Sequence, residues 1–429
     1  MNTLLAIGVF LFTYALIIIK PKKINEAHAA LIGAILSIIF VLNPHHVIEA
    51  LGFSTLEMPV PLVTTWNVVI ILISLMIISS LLDDYGFFEY CAKKAIYASK
   101  NSGHRLFLYT FLVVSFIALF AGNDVVILTA TPIILIFCKN AKINPKPYMY
   151  ASFFAANTFS MPLYIGNLTN ILIGDSFGLD YFVFTKYMFL PTIAAASVNY
   201  QLLKYIFRKQ IPDNFNYKDN IEVVIKNKSL VALGLSVLLG VIILGGIANY
   251  YKVPISIIAS GGALVLLVSE RRIAHRLNSI SWNVVIFVTG LFIVVKSLDV
   301  SGINNRIGEI LFLGMSGNIF VDTYSVALLS AFMCNLINNI PMTAMMLSII
   351  QQAGLSPDFN TAMGYSLVIG SNLGANFTTF GALAGILWLE SARRYGWHST
   401  ITDLLKIGLF VTPLAILGAS MILAIELSI

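Results

Sequence analysis

The apolar residues of this chain run in long blocks, and the polar residues that interrupt some of those blocks carry most of the information. Stretches 2–19, 29–42, 67–82, 184–207, 229–247, 253–269, 283–298 and 404–427 read as membrane-crossing helices. Four further stretches are apolar but broken. The run 106–138 holds Asn123 and Asp124 between two arms, and 150–173 holds Asn157, Ser160, Pro162, Gly166, Asn167 and Asn170. Likewise 324–351 holds Asn338 and Asn339, and 361–389 holds Ser371, Asn372, Asn376, Thr378 and Thr379. Amides and an acid facing lipid would cost several kcal/mol, so these groups must face protein or a solute.

The interruptions occur twice. Adding 215 to Asn123 and Asp124 gives Asn338 and Asn339, and the same shift carries Asn157 to Asn372 and Gly166 to Gly381. Trp66-Asn67-Val68-Val69-Ile70 recurs word for word at Trp282-Asn283-Val284-Val285-Ile286, an offset of 216, as does Leu82-Asp83 at Leu298-Asp299. The pattern predicts an all-α polytopic membrane protein made of two repeats, 1–207 and 229–429, joined by the hydrophilic linker 208–228. Each repeat is expected to hold about five transmembrane helices. It also holds one polar-tipped pair of arms, at 106–138 and 324–351, and one broken helix, at 150–173 and 361–389. A polar tip between short arms fits either two short spans or a re-entrant hairpin, and the hairpin is preferred because irregular backbone at membrane depth survives where protein buries it.

Charge sets the orientation. All but four of the 26 Lys and Arg, the exceptions being Lys186, Lys252, Lys296 and Arg306, fall on one side of this topology, which is therefore cytoplasmic. Both termini are then extracytoplasmic, in a multi-pass protein of the cell membrane. Five spans per repeat is an odd number, so the second repeat is inverted relative to the first, the architecture of secondary transporters.

Composition supports this class: 58% hydrophobic and 11% charged residues, with a mean hydropathy of +0.87. The net charge of +6 follows membrane orientation and does not indicate nucleic-acid binding. Cys91, Cys138 and Cys334 are scattered and the six His are unclustered, so neither a metal centre nor a cofactor is expected. No Walker motif, H-E-x-x-H helix or G-x-S-x-G elbow is present, which argues against an enzyme. Asp124 is the one carboxylate expected at mid-depth and is the natural proton carrier or Na⁺ ligand. Asn, Ser and Thr groups of the broken helices, with Thr129 and Thr343 beyond the two tips, complete the candidate site. An uncoupled channel or membrane-assembly subunit is the alternative from another class; it predicts activity that survives Asp124→Asn.

Phe120-Ala121-Gly122-Asn123-Asp124-Val125-Val126, Ser160 through Asn170, Asn338-Asn339-Ile340-Pro341 and Ile369 through Asn376 make the chain resemble the arsenite permease (ArsB-like) family. That family lies in the superfamily that also holds NhaD-type sodium/proton antiporters and sodium-coupled dicarboxylate and citrate carriers. The resemblance implies hairpin tips at Asn123-Asp124 and Asn338-Asn339 and site residues around Asn167, Asn170, Asn372 and Asn376. It further implies a module that moves against a fixed scaffold, a homodimer, and in some members a soluble ATPase subunit. Arsenite permeases export arsenite or antimonite in exchange for protons. A Na⁺/H⁺ antiporter or a Na⁺-coupled carboxylate or oxyanion carrier is the alternative. The chain departs from the permease pattern at Val125-Val126, where Gly-Ala is usual, and at Asn372, where an Asp is usual.

Overall fold

The computed structural model describes residues 2–19, 21, 24–50, 65–217, 225–312, 315–353 and 356–429, and of Asp124 the backbone alone. Lys20, Lys22, Lys23, Glu57, linker positions 218–224 and the Asp124 side chain lie outside the described residues. Among the described residues every regular element is helical. The first ten helices are α1 (Asn2–Ile19), α2 (Glu26–Phe40), α3 (Pro44–Ala50), α4 (Thr65–Asp84), α5 (Phe87–Ala98), α6 (Gly103–Ala121), α7 (Asn123–Asn140), α8 (Lys146–Phe159), α9 (Leu168–Ser176) and α10 (Tyr181–Phe207). The next ten follow in the same order of long and short elements. They are α11 (Lys228–Tyr250), α12 (Ile255–Glu270), α13 (Ile273–Ser279), α14 (Trp282–Val300), α15 (Ile303–Phe312), α16 (Ile319–Ile337), α17 (Asn339–Gln352), α18 (Pro357–Leu373), α19 (Leu383–Arg394) and α20 (Ile401–Ser428). A 3₁₀ turn, Gly374–Asn376, extends α18.

Seven helices among the described residues are long and apolar enough to cross a bilayer: α4, α6, α10, α11, α14, α16 and α20. The chain is a multi-pass α-helical membrane protein. The expected spans at 2–19, 29–42 and 253–269 are helical but belong with the shorter apolar helices. Conversely α6 and α16, read from sequence as hairpin arms starting at 106 and 324, begin at Gly103 and Ile319 and each run for 19 residues. Their first turns carry polar residues such as His104, Arg105 and Asp322, which a count of apolar positions leaves out. The broken helices also extend past their expected ends, to Lys146–Ser176 and Pro357–Arg394. The stretch after 43, read as loop, contains the short α3.

Packing divides the helices into two groups. In one, α2 lies against α14 and α4 against α12, flanked by α1 and α11. In the other, α6 packs on α8, α16 on α18 and α10 on α20, while α7 meets α19 and α17 meets α9. The centre of the second group is α8 and α18, in which every residue from Pro147 to Thr158 and from Ala362 to Leu373 is buried. Ser152, Asn157 and Thr158 of α8 and Ser366, Ser371 and Asn372 of α18 spread polar groups around both helices, which protein rather than lipid must cover. The linker is held at both described ends. Phe215 N donates to Asn101 O at 2.9 Å, Lys226 N donates to Tyr85 O at 3.2 Å, and the Phe215 and Tyr217 rings pack on Phe137.

Candidate functional site

Four helices begin at one place. α6 ends and α7 starts around the single residue Gly122 (φ 72°, ψ 153°), and α16 and α17 are separated in the same way by Asn338 (φ 67°, ψ 154°). The two breaks therefore correspond at an offset of 216, so that Gly122 pairs with Asn338 and Asn123 with Asn339. The sequence pairing at 215 and the first tip, expected at Asn123-Asp124, shift by one residue, whereas the second break falls at Asn338 within the expected Asn338-Asn339. Asn123 and Asp124 form the first turn of α7, and Asn339 opens α17. The half-helix breaks do keep the 215 offset: α9 is capped by Asn167 (φ −147°, ψ 150°) and α19 by Ala382 (φ −150°, ψ 162°).

Asn123, Asn167, Leu168, Asn339, Ala382 and Leu383 line one recess of about 650 Å³, with Gly122, Ile165, Gly166 and Ile340 between them. The first residues of α7, α9, α17 and α19 all face it. Each helix start presents amides without partners in their own helix and the positive end of a dipole. Among the described residues the lining of the recess contains no Lys or Arg. A second recess of about 1150 Å³, lined by Asn25, Trp282, Asn283, Ile386 and Glu390 among others, adjoins the first at Leu383. A separate cavity of about 530 Å³ between α5, α6 and α7 is lined almost wholly by apolar side chains and lacks converging polar groups.

Behind the recess the breaks are tied by amides. Asn123 Nδ2 donates to Asn157 Oδ1 at 3.0 Å, and Asn157 Nδ2 donates to Asn376 Oδ1 at 3.0 Å. Asn372 Oδ1 accepts from Ser160 Oγ and from Asn167 Nδ2, both at 2.8 Å. Its Nδ2 donates to Asn170 Oδ1 at 2.8 Å and to Val368 O at 2.9 Å. Asn170 Nδ2 in turn holds the unwound carbonyls of Ser160 and Leu163, at 2.8 and 2.9 Å, and Ser371 Oγ donates to Thr169 Oγ1 at 3.2 Å. A side-chain amide suits this role because it donates and accepts at once, satisfying backbone groups that a broken helix strands.

The structure thus joins Asn123, Asn157, Ser160, Asn167, Asn170, Ser371, Asn372 and Asn376 in one network, with Gly166 beside it in the recess. Asn339 is buried on the recess wall. Asn338 sits at the second break, bonded to Phe380 O. Thr378 Oγ1 donates to Asn335 Oδ1 at 2.6 Å, and Thr379 is buried nearby in sequence. Thr343 is buried with its hydroxyl unpartnered. Thr129 lies elsewhere. Six residues into α7, it donates to Asp83 Oδ1 at 3.1 Å and lines the apolar cavity. Asn335 was missed. It holds Gly374 O, where α18 ends and the chain unwinds, at 2.8 Å. Its counterpart 216 residues earlier is Leu119, so the duplication gave no hint; an isolated amide in the apolar α16 was the available signal.

Outside the membrane-crossing segments, α13 is anchored by Arg276, which is 1% exposed. Its Nη2 donates to Glu270 Oε1 at 2.7 Å and its Nη1 to Asp84 Oδ2 at 2.8 Å, with Nε also on Glu270. Burial works against its charge, but the bonds and charges of Glu270 and Asp84 outweigh burial and hold the guanidinium pKa above its usual range.

Residues 14–370 match the family model described as "Citrate transporter". The chain is 31% identical over 400 residues to the "Arsenical pump membrane protein" of Escherichia coli strain K12, covering 90% of each. It is 26% identical to a "46 kDa membrane protein" of Mycobacterium leprae, covering 96% of each. Its fold is similar to that of the Alcanivorax borkumensis YdaH transporter, with a TM-score of 0.56 at 14% identity over 100% of this chain and 98% of that one. The chain belongs to the citrate transporter family of that model and, by its relatives, to the arsenical pump membrane protein (ArsB-like) family of secondary transporters.

Proposed function

We propose that the protein exports arsenite- or antimonite-type small inorganic solutes in exchange for protons. The observation that carries this reading is the convergence of four helix starts on one recess whose described polar side chains are amides. An uncharged trihydroxide offers oxygens that accept from helix amides and hydroxyls that donate to carbonyls, so such a lining answers it in both directions. Asp124, in the first turn of α7, is the coupling carboxylate in this reading, binding a proton or Na⁺. The name of the E. coli relatives points the same way.

The architecture fits two inverted repeats, 1–207 and 229–429 around the linker 208–228, with α6–α7 and α16–α17 as re-entrant hairpins. The matching order of the two series of ten helices and the matching backbone angles at Gly122 and Asn338 support it. Helices α1–α4 and α11–α14 form the frame, and the group around α8 and α18 moves against it as an elevator. Both termini lie outside the cell membrane on the charge argument, and the protein works as a homodimer, with or without a soluble ATPase subunit. Na⁺-coupled carboxylate or oxyanion transport is the second reading. It is favoured by the citrate transporter match and by the same helix starts, which supply positive potential where no Lys or Arg does.

Purified protein in proteoliposomes with an internal pH dye separates these. Proton flux driven by arsenite and lost in Asp124→Asn establishes the export reading. A response to Na⁺ alone moves the protein to the antiporters, and Na⁺-dependent citrate uptake to the carboxylate carriers.

A further inference from the structure

The two breaks share backbone angles but not partners. At the second, Asn338 Oδ1 accepts from Ile340 N at 3.4 Å and its Nδ2 donates to Phe380 O at 3.3 Å, while Asn339 N donates to Gly381 O at 3.0 Å. One residue thus supplies an oxygen to the first turn of α17 and a donor to the facing unwound loop. Asn338 and the Asn339 amide are engaged by the chain itself at this end.

At the first break none of these bonds is made among the described residues. Gly122 has no side chain, and α7 carries no side-chain cap, so the amide of Asp124, the counterpart of Ile340 N, lacks the oxygen that Asn338 provides. The counterpart of the Asn339–Gly381 bond, from Asn123 N to Gly166 O, is not made among the described residues. A Cβ built at Gly122 would find Gly166 O 3.9 Å away as its nearest atom, so there is room for a side chain. Gly122, Asn123, Gly166 and Asn167 line the recess, whereas Asn338, Phe380 and Gly381 do not.

We propose that Asn338 is a built-in ligand that fills the second of two pseudo-equivalent subsites, leaving one open subsite at the first break for an oxygen atom of the transported solute. That oxygen takes the position of Asn338 Oδ1, accepting from the first-turn amides of α7. The inference rests on the transporter reading above for the identity of the solute but not for the state of Asn338. It makes residue 122 the determinant of whether the first subsite is open. The two exchanges differ in strain: at φ 72°, ψ 153° (Gly122) and φ 67°, ψ 154° (Asn338) any residue but Gly is strained, so Asn338→Gly relieves that strain and Gly122→Asn takes it on, as Asn338 does at the second break.

The test is hydrogen–deuterium exchange of the purified full chain, comparing peptides over 122–126 and 338–342, with and without excess arsenite and, separately, citrate. Exchange at 338–342 is expected to be at least tenfold slower than at 122–126. Asn338→Gly is expected to speed exchange at 338–342 and narrow that difference, the Asn339–Gly381 backbone bond remaining, and a probe that binds is expected to slow 122–126 alone. Gly122→Asn is expected to slow 122–126 without ligand and to abolish the probe's effect. Equal exchange at both breaks in the native chain, no change in Asn338→Gly, or slowing of both breaks by a probe would overturn the proposal. If neither probe slows exchange while the two variants behave as stated, Asn338 stands as the internal ligand and the proposed solutes are wrong.

Discussion

Asn170 and Asn372, one in each broken helix, are joined side chain to side chain, with Asn372 Nδ2 donating to Asn170 Oδ1 at 2.8 Å. The bond links the two halves of the chain where both helices lose their internal hydrogen bonds. Asn372 also accepts from Ser160 and Asn167, so truncating it removes a partner from the buried Asn170 and Ser160 and from the half-buried Asn167 at once. Asn372→Ala is therefore expected to lower stability by about 3 kcal/mol, at the upper end of the cost of an unmet buried hydrogen bond. Thermal unfolding in detergent measures it. A loss no larger than that of a single exposed polar substitution would mean the network does not hold the breaks together.

Glycines on α18 make a second prediction. A Cβ at Gly370 would lie 2.4 Å from Ala327 O and 2.6 Å from Ser330 Cβ, and one at Gly374 would lie 2.6 Å from Ala331 Cα. These are contacts with the backbone and the rigid Cβ of α16, which cannot swing aside as a side-chain end can. Gly370→Ala should push α16 and α18 apart and cost about 1–3 kcal/mol. Gly261→Ala, with nothing within 4 Å, is the control and should be neutral or gain up to about 1 kcal/mol from helix propensity. Equal behaviour of the two variants would show that the close approach of the helices is not maintained in the membrane.

Apolar runs located nearly every long helix, because burial in lipid or protein requires apolar residues whatever the tertiary arrangement. The polar interruptions marked the breaks for the complementary reason: unsatisfied backbone there needs amides and hydroxyls. Ends were less legible, since α6 reaches back through Arg105 and His104 to Gly103 once its first turn lies beyond the apolar run. The one-residue shift between Asn123 and Asn338 was hidden as well. Both are asparagines, and only the positive φ at Gly122 and Asn338 distinguishes a helix start from the residue before it. Thr129 looked like part of the site because it sits close to Asn123 in sequence; six residues of helix turn it about 240° away, towards Asp83.

Arg276 uses Nε, Nη1 and Nη2 on two carboxylates, so neither its charge nor its shape is replaceable alone. Arg276→Gln would leave Glu270 buried without its cation and should cost about 3–5 kcal/mol. Arg276→Lys restores charge but not the forked geometry, and recovery of less than half the loss is expected. Because the folded guanidinium is held above an already high pKa, its contribution is complete at every pH below the unfolded value and would fade only as pH rises through the folded one. Urea unfolding of both variants at pH 7 and pH 9 checks this, and a Gln penalty that changed between those values would show that another group sets the strength of the anchor.

Asp83 and Asp299 occupy equivalent positions at the ends of α4 and α14, and each accepts a hydroxyl from the helix that leaves the adjacent break: Thr129 of α7 at 3.1 Å and Ser348 of α17. Their surroundings differ. Asp299 also accepts from Gln352 Nε2 at 2.9 Å and Asn304 Nδ2 at 3.4 Å and faces Lys296 Nζ at 3.4 Å, whereas Asp83 is exposed. Hydrogen bonds to a charged group contribute about 1.5–3 kcal/mol when shielded from water and far less when solvated. Since the Asp299 side chain is 24% exposed, a loss of about 1.5 kcal/mol is expected for Asp299→Ala. Asp83→Ala should cost less than about 1 kcal/mol. A double-mutant cycle of Asp299→Ala with Ser348→Ala should return a coupling of about 1 kcal/mol, against a few tenths for Asp83→Ala with Thr129→Val. Equal couplings would mean that the two hydroxyl–carboxylate contacts tie α7 to α4 and α17 to α14 alike.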